Sequence, residues 1–367
     1  VFGRYQLALT HGKGCKLYDA DGNEYLDFLA GIAVNSLGHA HPALVKAISE
    51  QAAKLMHCSN IYYTDIQAKA VKEIIEATGF DRVFLANSGA EANEGAIKLA
   101  RKYGHQKNEG KYRIITAVHS FHGRTMMTVT ATGQPKYQQG YEPLPAGFDY
   151  VPYGDLEALR EAMDEDVCCV LLEPIQGEGG VHVPSNTYLH EARLLCDKYD
   201  ALLVFDEIQT GVARTGKWFA YMHSGVKPDI MTFAKGIGGG FPVGGFVVTE
   251  RLAHVFKPGD HGGTFGGNAL ACAAIYATLT TIKNENIVEQ TAEKGAYFKK
   301  KLEFLMAKYS DKVIEIRGCG LILGMELNKD GKEVVEACLK RQVIVNCTAG
   351  NVIRLVPPLI VTKEEVD

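Results

Sequence analysis

The strongest constraint on the fold is a repeated alternation of short apolar runs with helix-forming segments. Six β-rich runs occur, at residues 82–87, 113–118, 168–174, 201–207, 229–235 and 244–249. Segments with the 3.6-residue period of a helix, such as residues 187–200, lie between several of them. This order predicts an α/β fold in which helices cover a mostly parallel sheet.

The two ends of the chain predict a second, smaller domain. Residues 15–31 contain two β-like runs around Asp21 and Gly22, a strong hairpin turn signal, and a long helical stretch begins at Asn268. A chain of 367 residues is long enough for two domains. We expect a large domain over residues 50–265 and a small α+β domain built from residues 1–49 and 266–367. The last residues, "VTKEEVD", are expected to begin a helix that is cut off.

Composition argues against several classes of protein. The 39 basic and 43 acidic residues give a net charge of −4 without a block of like charge, so nucleic acid is not an expected partner. No apolar stretch reaches the ~18 residues of a membrane span, and no membrane is expected. Nine scattered cysteines without a CxxC motif indicate reduced thiols and a cytoplasmic protein. His39 and His41 have no third ligand nearby, so we expect no metal site.

The segment after the first apolar run predicts an anion site. Ser88 and Glu91 form a capping box, and a helix is expected from Gly89 to a C′ glycine at Gly104. Free N–H groups of Gly89 and Ala90 at the positive end of that helix would bind an anion, most naturally a phosphate. The same pattern also fits a well-capped helix without a ligand.

A carboxylate ends the run at residues 201–207. Asp206 continues the alternation of Leu202 and Val204, so its side chain should point into the core. A buried carboxylate needs a cationic partner or becomes protonated. A structural ion pair and a metal site are the alternatives to a functional role, and no His or Cys cluster nearby favours the metal.

Lys235 lies between an apolar run and four glycines within residues 236–240. An amine held there can lose its proton by desolvation and act as a nucleophile toward a carbonyl. A nucleotide-binding loop is the other interpretation, but GxGxxG fails at Phe241 and GxxxxGK[ST] is absent. A phosphate site, a buried carboxylate and a reactive lysine together predict pyridoxal 5′-phosphate (PLP) as the cofactor.

Seven motifs occur in a fixed order along the chain: NSGAEAN (87–93), FHGRT (121–125), EPIQGEGG (173–180), FDEIQTGVARTG (205–216), AKGIGGGFP (234–242), GGTFGGN (262–268) and IRLVPPL (353–359). In them the chain resembles the class III (ω-amino acid) PLP-dependent aminotransferases of the aspartate aminotransferase fold, fold type I. Within that family it is most similar to the N-acetylornithine aminotransferases of arginine biosynthesis. The resemblance covers almost the whole chain, from Gly3 to Leu359.

The resemblance implies an activity and the residues for it. The activity is ping-pong transfer of the terminal amino group of N2-acetyl-L-ornithine to 2-oxoglutarate, which gives N-acetylglutamate 5-semialdehyde and glutamate. Lys235 would bond to the cofactor and Asp206 would hold its pyridine nitrogen protonated. Thr264 would reach the phosphate in the neighbouring subunit, which implies a homodimer. The full set of implied cofactor contacts is Ser88, Gly89, Ala90, Phe121 (on the ring), Asp206, Glu207, Ile208, Gln209 (by the ring hydroxyl), Lys235 and Thr264.

The resemblance also implies substrate contacts. Arg124 would bind a substrate carboxylate, and its charge would be costly to bury without such an anion. Arg354 would receive the α-carboxylate of 2-oxoglutarate, and Glu178 would pair with Arg354 while the amino donor is bound. Glu173 lies at the same strand end as Glu178 and is a further candidate.

Two positions bear on the donor. Ile32 stands where free-ornithine aminotransferases carry an aromatic residue, which favours an acylated donor. Gly263 stands where acetylornithine enzymes usually have serine, which leaves the acyl group, acetyl or succinyl, open. Succinylornithine, ornithine or γ-aminobutyrate as donor, an aminomutase, and a PLP carrier without turnover are the alternatives. A nicotinamide-dependent dehydrogenase is disfavoured by the missing glycine fingerprint.

Overall fold

The computed structural model describes residues 3–367, and no helix in that range is long and apolar enough to cross a membrane. The strands are β1 (Leu9–Lys13), β2 (Lys16–Asp19), β3 (Glu24–Asp27), β4 (Arg82–Ala86), β5 (Arg113–Ala117), β6 (Phe148–Val151), β7 (Val167–Leu172), β8 (Leu202–Asp206), β9 (Ile230–Phe233), β10 (Gly244–Val248), β11 (Val313–Cys319), β12 (Ile322–Leu327), β13 (Val343–Ile344), β14 (Asn346–Thr348) and β15 (Val352–Leu355). The helices are α1 (Ala30–Ala33), α2 (Pro42–Ala52), α3 (Asp65–Thr78), α4 (Gly89–Lys107), α5 (Met126–Ala131), α6 (Pro135–Gln138), α7 (Leu156–Ala162), α8 (Asn186–Lys198), α9 (Tyr221–Ser224), α10 (Ala269–Asn284), α11 (Ile287–Lys308), α12 (Lys332–Lys340) and α13 (Lys363–Val366).

The largest sheet has seven strands in the order β4-β10-β9-β8-β7-β5-β6. The pairs β6–β5, β5–β7, β7–β8 and β8–β9 are parallel, whereas β10 runs antiparallel to both β9 and β4. The predicted α/β class with a mixed, mostly parallel sheet is therefore confirmed, and all six predicted runs form strands. The sequence prediction missed β6, an edge strand of only four residues.

Helices cover both faces of this sheet. Every residue of β7, β8 and β9 is buried, as expected for parallel strands between two layers. On one face, Val204 of β8 belongs to the same apolar cluster as Ile97 of α4, and on the other Phe205 belongs to the same cluster as Tyr188 of α8. The alternation along β8 thus places Asp206 on the face that α4 covers.

Two four-stranded sheets contain the remaining strands, in the orders β1-β2-β3-β13 and β11-β12-β15-β14. The predicted hairpin forms β2 and β3, with Gly22 in the left-handed region at φ 83°. β13 pairs with β3, so the N-terminal hairpin shares a sheet with the C-terminal third of the chain. Meanwhile α10 packs against α2 and α3. The domain boundaries between residues 49 and 50 and between residues 265 and 266 stay a prediction.

The helix predicted after Ser88 begins where expected and ends later. Ser88 accepts a hydrogen bond from the Glu91 N–H, while the Glu91 carboxylate accepts the N–H of Asn87. The prediction that Gly104 ends the helix is wrong, because α4 continues to Lys107. A Cβ at Gly104 would collide with the carbonyl oxygen of Lys111, so glycine is needed there for close packing.

Candidate active site

A cavity of about 390 Å³ lies at the carboxyl ends of β7, β8 and β9. This is the edge at which a parallel sheet of this kind places its ligands. Asp206 ends β8, Glu173 follows β7, and Lys235 lies two residues after β9. The predicted residues that line this cavity are Ser88, Gly89, Ala90, Phe121, Arg124, Glu173, Glu178, Asp206, Ile208, Gln209 and Lys235.

Asp206 is held by a small hydrogen-bond network at the base of the cavity. Its side chain is 4% exposed, and its Oδ2 accepts from Nδ2 of Asn93 at 2.7 Å and faces Nδ1 of His122 at 2.8 Å. Its Oδ1 accepts from the N–H of Ile208 at 3.1 Å. Two carboxylate oxygens offer about four acceptor positions, so one is left for a ligand.

Asn93 and His122 were missed by the sequence prediction. Both lie within motifs that had been singled out, NSGAEAN and FHGRT. Asn93 is four residues after Gly89, so it lies one turn further along the same face of α4. Its Nδ2 also donates to the carbonyl of His122 at 2.8 Å, and both side chains are buried. His122 thus lies 2.8 Å from the carboxylate of the buried Asp206.

Lys235 begins a 3₁₀ turn in a strained conformation. Its φ is +46°, a value that non-glycine residues rarely adopt outside functional sites and turns. Burial lowers the pKa of the Lys235 ammonium, and the nearby Glu178 carboxylate opposes this effect. The lowered pKa increases the fraction of neutral amine, the form that attacks carbonyl groups.

The glycines after Lys235 make room for other parts of the chain. A Cβ at Gly236 would lie 2.5 Å from Oγ of Ser36, whose hydroxyl donates to the Gly236 carbonyl at 3.1 Å. A Cβ at Gly239 would lie 2.8 Å from a methyl group of Leu44. These glycines therefore allow the N-terminal segment to pack closely behind the lysine.

The first turn of α4 presents the predicted anion site. The N–H groups of Gly89 and Ala90 donate no hydrogen bond to any other residue in the described range. Ile208 covers this turn, since a Cβ at Gly89 would lie 2.8 Å from its Cδ1. Free N–H groups at a helix N-terminus that faces a cavity suit a phosphate.

Glu178 forms an ion pair with Arg354. Oε1 of Glu178 lies 2.7 Å from Nη1 of Arg354, and the same Nη1 donates to Oε1 of Gln209 at 3.1 Å. Arg354 is completely buried in β15 and its Nη2 has no partner. Glu178 lines the cavity and Arg354 does not, so the glutamate lies between the arginine and the cavity.

Arg124 lies at the cavity wall. Its side chain is exposed there. Its guanidinium carbon lies 4.0 Å from the centroid of the Tyr137 ring and 5.6 Å from that of Phe121. Exposure lowers the cost of the free charge, and the aromatic faces keep the guanidinium near the cavity.

Glu173 is buried against the loop that carries Phe121. Its Oε2 accepts from the N–H of Phe121 at 3.2 Å. Burial, and then the charge of Asp206, raise the pKa of Glu173 well above its ordinary value. A protonated Glu173 can donate a hydrogen bond into the cavity as well as accept one.

Several predicted residues do not line this cavity. The Glu207 side chain accepts hydrogen bonds from the N–H groups of Ala220 and Tyr221, so the predicted cofactor contact finds no support from its side chain. These bonds hold its carboxylate beside residues 220 and 221, outside the lining of the cavity. Gly263 and Thr264 line a separate cavity of about 370 Å³. Ile32 is exposed, with φ +67°, and does not line the main cavity.

The residues of the cavity fit PLP. Asp206 retains acceptor capacity for a pyridinium N–H, and the free N–H pair of Gly89 and Ala90 suits the phosphate. Lys235 supplies an amine with a lowered pKa, and Phe121 supplies an aromatic side chain. No single one of these features is specific, but PLP uses all of them together.

Comparison with known proteins gives one consistent result. The family model "Aminotransferase class-III" matches residues 3–367. The chain is 54% identical to acetylornithine aminotransferase of Caldanaerobacter subterraneus subsp. tengcongensis, over all of this chain and 93% of that protein. Acetylornithine aminotransferase from Elizabethkingia anophelis superposes with a TM-score of 0.90 at 37% identity, over 100% of this chain and 92% of that one. Ornithine aminotransferase from Toxoplasma gondii, with PLP at partial occupancy in its active site, gives 0.95 at 36% identity, over 100% and 89%.

Proposed function

The chain belongs to the class III aminotransferases, which are PLP-dependent enzymes, and on this basis we propose that it transfers the terminal amino group of N2-acetyl-L-ornithine to 2-oxoglutarate. The products are N-acetylglutamate 5-semialdehyde and glutamate. Relatives named acetylornithine aminotransferase at 47–54% identity over the full chain support this donor.

The observation that carries the proposal is the Glu178–Arg354 pair beside a cavity that Arg124 also lines. N2-Acetylornithine has one carboxylate and 2-oxoglutarate has two. While Glu178 is paired with Arg354, Arg124 is the arginine that can bind a carboxylate in the cavity. This arrangement suits a substrate with one carboxylate. With Glu178 displaced, Arg354 becomes a second carboxylate site. One cavity can then serve two substrates in turn, as a ping-pong reaction requires.

Each residue has a task in this proposal. When bound, PLP supplies an aldehyde that bonds to amines and a ring that accepts electrons. Asp206, which Asn93 and His122 fix in place, would hold the proton on the pyridine nitrogen. The Lys235 amine would accept a proton from the amine-bearing carbon of the donor. Arg124 holds the donor carboxylate and so fixes the position of that carbon.

The donor could carry an acylated or a free α-amino group. Ornithine aminotransferase is among the similar solved structures. In addition, this chain has Gly263 at the position where acetylornithine enzymes usually have serine. Free ornithine carries an ammonium beside its carboxylate, whereas acylation removes that charge. An acylated donor therefore avoids placing an extra cation near Arg124. Succinylornithine satisfies the same argument and is the second candidate.

A panel of amino donors tests the proposal. N2-Acetylornithine, N2-succinylornithine, ornithine and γ-aminobutyrate would each be assayed with 2-oxoglutarate and saturating PLP. We expect the highest kcat/KM for N2-acetylornithine, with glutamate formed in equal amount to the semialdehyde. A higher kcat/KM for any other donor would replace acetylornithine in the proposal. Failure of all four donors would contradict the proposed donor class.

We propose further that the active unit is a homodimer in which Thr264 completes the site of the neighbouring subunit. Thr264 and Gly263 lie outside the cavity of their own Lys235, which supports a role in a second copy. Large apolar side chains nearby are exposed, including Ile61 at 80%, Tyr63 fully and Phe265 at 59%. Exposed apolar groups in one region favour an interface.

Subunit complementation tests the dimer. Chains with Lys235→Ala and chains with Thr264→Ala would be co-expressed and the mixed dimers purified by two different tags. In such a dimer one site combines a native Lys235 with a native Thr264 from the other chain. We expect that site to recover about half of the wild-type activity per dimer. Recovery no greater than the average of the two parent dimers would reject Thr264 as a residue shared between subunits.

We also propose a cytoplasmic location. All nine cysteines lie within the described range and all are free thiols there. Free thiols in this number suit a reducing compartment. Fractionation of the source cells, followed by immunoblotting, would test the location directly.

A further inference from the structure

The guanidinium of Arg124 contacts two aromatic rings and no carboxylate. Within residues 3–367 no Asp or Glu side chain forms an ion pair with Arg124. The guanidinium carbon lies 4.0 Å from the centre of the Tyr137 ring, closer than its 5.6 Å separation from Phe121. Tyr137 is therefore the nearest aromatic support for this arginine, and nothing in the reaction described above uses it.

The contact with the Tyr137 ring leaves the N–H groups of Arg124 available to a carboxylate. A guanidinium is planar, and when one face lies on an aromatic ring its N–H groups still point outward in its own plane. An exposed arginine without such a ring contact samples many rotamers. Binding a carboxylate then costs conformational entropy, because the side chain is restricted to one of them. A ring at 4.0 Å restricts those rotamers before the substrate arrives.

Tyr137 is itself firmly placed. It lies in the short helix α6, where Gln138 donates through Nε2 to the carbonyls of Thr130 at 3.1 Å and Thr132 at 2.9 Å. Gln134, at the N-cap of α6, donates to the carbonyl of Ser120 at 2.9 Å. These bonds join α6 to the residue that precedes Phe121. The Phe121 and Tyr137 rings meet edge to face, with centroids 5.8 Å apart.

We propose that Tyr137 is a positioning residue that holds Arg124 in the orientation which binds the substrate carboxylate, and so favours carboxylate-bearing amino donors over simple amines. The proposal rests on the proposed function, in which Arg124 contacts that carboxylate. The part of Tyr137 that matters is its ring, whose centroid lies 4.0 Å from the guanidinium carbon of Arg124.

Matched substrates separate positioning from general damage. N-Acetylputrescine has the amine and acetamide of N2-acetylornithine but lacks the carboxylate. In the PLP-loaded enzyme, we expect Tyr137→Leu to raise KM for N2-acetylornithine about tenfold, with kcat changed less than about twofold. The kcat/KM for N-acetylputrescine should stay within about twofold, and Tyr137→Phe should behave like the wild type.

Two controls make the outcome decisive. Tyr141→Leu makes the same change at an exposed tyrosine four residues away and should leave both substrates unaffected. Arg124→Gln should raise KM for N2-acetylornithine, and Tyr137→Leu should add nothing to it in the double variant. If Tyr137→Leu does not fold, Tyr137→Gln would be measured in its place.

The failures of the two proposals are distinguishable. An unchanged KM in Tyr137→Leu, together with a raised KM in Arg124→Gln, would overturn the role of Tyr137 alone. Equal losses with N2-acetylornithine and N-acetylputrescine, or a Tyr137→Phe variant as impaired as Tyr137→Leu, would also overturn it. An unchanged KM in Arg124→Gln would instead overturn the proposed carboxylate contact of Arg124.

Discussion

Oε1 of Glu178 lies 2.7 Å from Nη1 of Arg354, and it separates a fully buried cation from the cavity that Lys235 lines. Burial alone would raise the pKa of Glu178, but Arg354 and then Lys235 outweigh it and hold that pKa below its ordinary value. The Glu178 carboxyl is therefore ionised at neutral pH. A buried ion pair contributes little net stability, whereas removing one partner leaves the other charge uncompensated.

Glu178→Gln is expected to impair the two half-reactions unequally. The substitution leaves Arg354 charged without its carboxylate, so the pocket should favour 2-oxoglutarate over the donor. We expect the donor half-reaction to lose about tenfold in kcat/KM, while the 2-oxoglutarate half-reaction is unchanged or faster. Single-turnover absorbance of the cofactor measures each half separately. Glu161→Gln, at an exposed glutamate without an ion pair, is the control. Equal losses in both halves would contradict the model of a movable Glu178.

Lys235→Ala is expected to abolish covalent attachment of PLP. Wild-type protein should be yellow, and borohydride should fix one PLP per chain on the peptide that contains Lys235. The variant should show neither the absorbance of lysine-bound PLP nor the mass increase, because no other lysine lines the cavity. Lys217→Ala removes an exposed lysine and serves as the control. A borohydride-fixed PLP at any position in Lys235→Ala would show that a different lysine carries the cofactor.

Much of the site could be predicted because parallel strands deliver their following residues to one edge of a sheet. That rule brings Asp206, Glu173 and Lys235 together from the positions of three apolar runs. The cofactor contact implied for Glu207 stays a prediction, and its side chain accepts the N–H groups of Ala220 and Tyr221.

The remaining features depend on tertiary distances that no local pattern contains. The contact of Asn93 with Asp206 depends on how α4 is rotated about its own axis relative to the sheet. The exposure of Arg124 depends on where α6 places Tyr137, about a dozen residues later in the chain. Gly104 has the pattern of a helix end, yet its role is set by the approach of Lys111.

Glu207 is expected to make stability fall as pH rises toward neutrality. Burial raises its pKa to about 7, although the N–H of Tyr221, the Thr210 hydroxyl and the N–H of Ala220 lower it in part. Between the ordinary carboxyl pKa and about 7, the native state holds a proton that the unfolded state has lost. The free energy of unfolding therefore decreases across this range, by at most about 3 kcal/mol from this group, and then levels.

Glu207→Gln isolates that contribution. The variant should lose about 1–3 kcal/mol at pH 8, because the two backbone N–H groups donate to different oxygens of Glu207 and the amide replaces one oxygen with an NH2 group, which only donates. Its stability should then depend less on pH between 5 and 7 than that of the wild type. Urea unfolding of both proteins at pH 5, 6, 7 and 8, with equal PLP, measures the difference. Parallel pH profiles would exclude Glu207 as the titrating group.

Gly104→Ala is expected to destabilise the protein even though alanine is the better helix former. In an open helix interior, replacing glycine with alanine stabilises by about 1 kcal/mol. Here the new Cβ would collide with the Lys111 carbonyl and lie 2.7 Å from Cβ of Cys168, and neither neighbour is a flexible chain end. Overpacking of this kind costs about 1–3 kcal/mol, so the clash should outweigh the helix propensity.

Thermal unfolding would show a lower Tm with kcat retained in the folded protein. Gly3→Ala, where no atom lies within 4 Å of the new Cβ, should leave Tm unchanged. A Tm equal to or above that of the wild type in Gly104→Ala would mean that α4 and residue 111 can move apart at little cost.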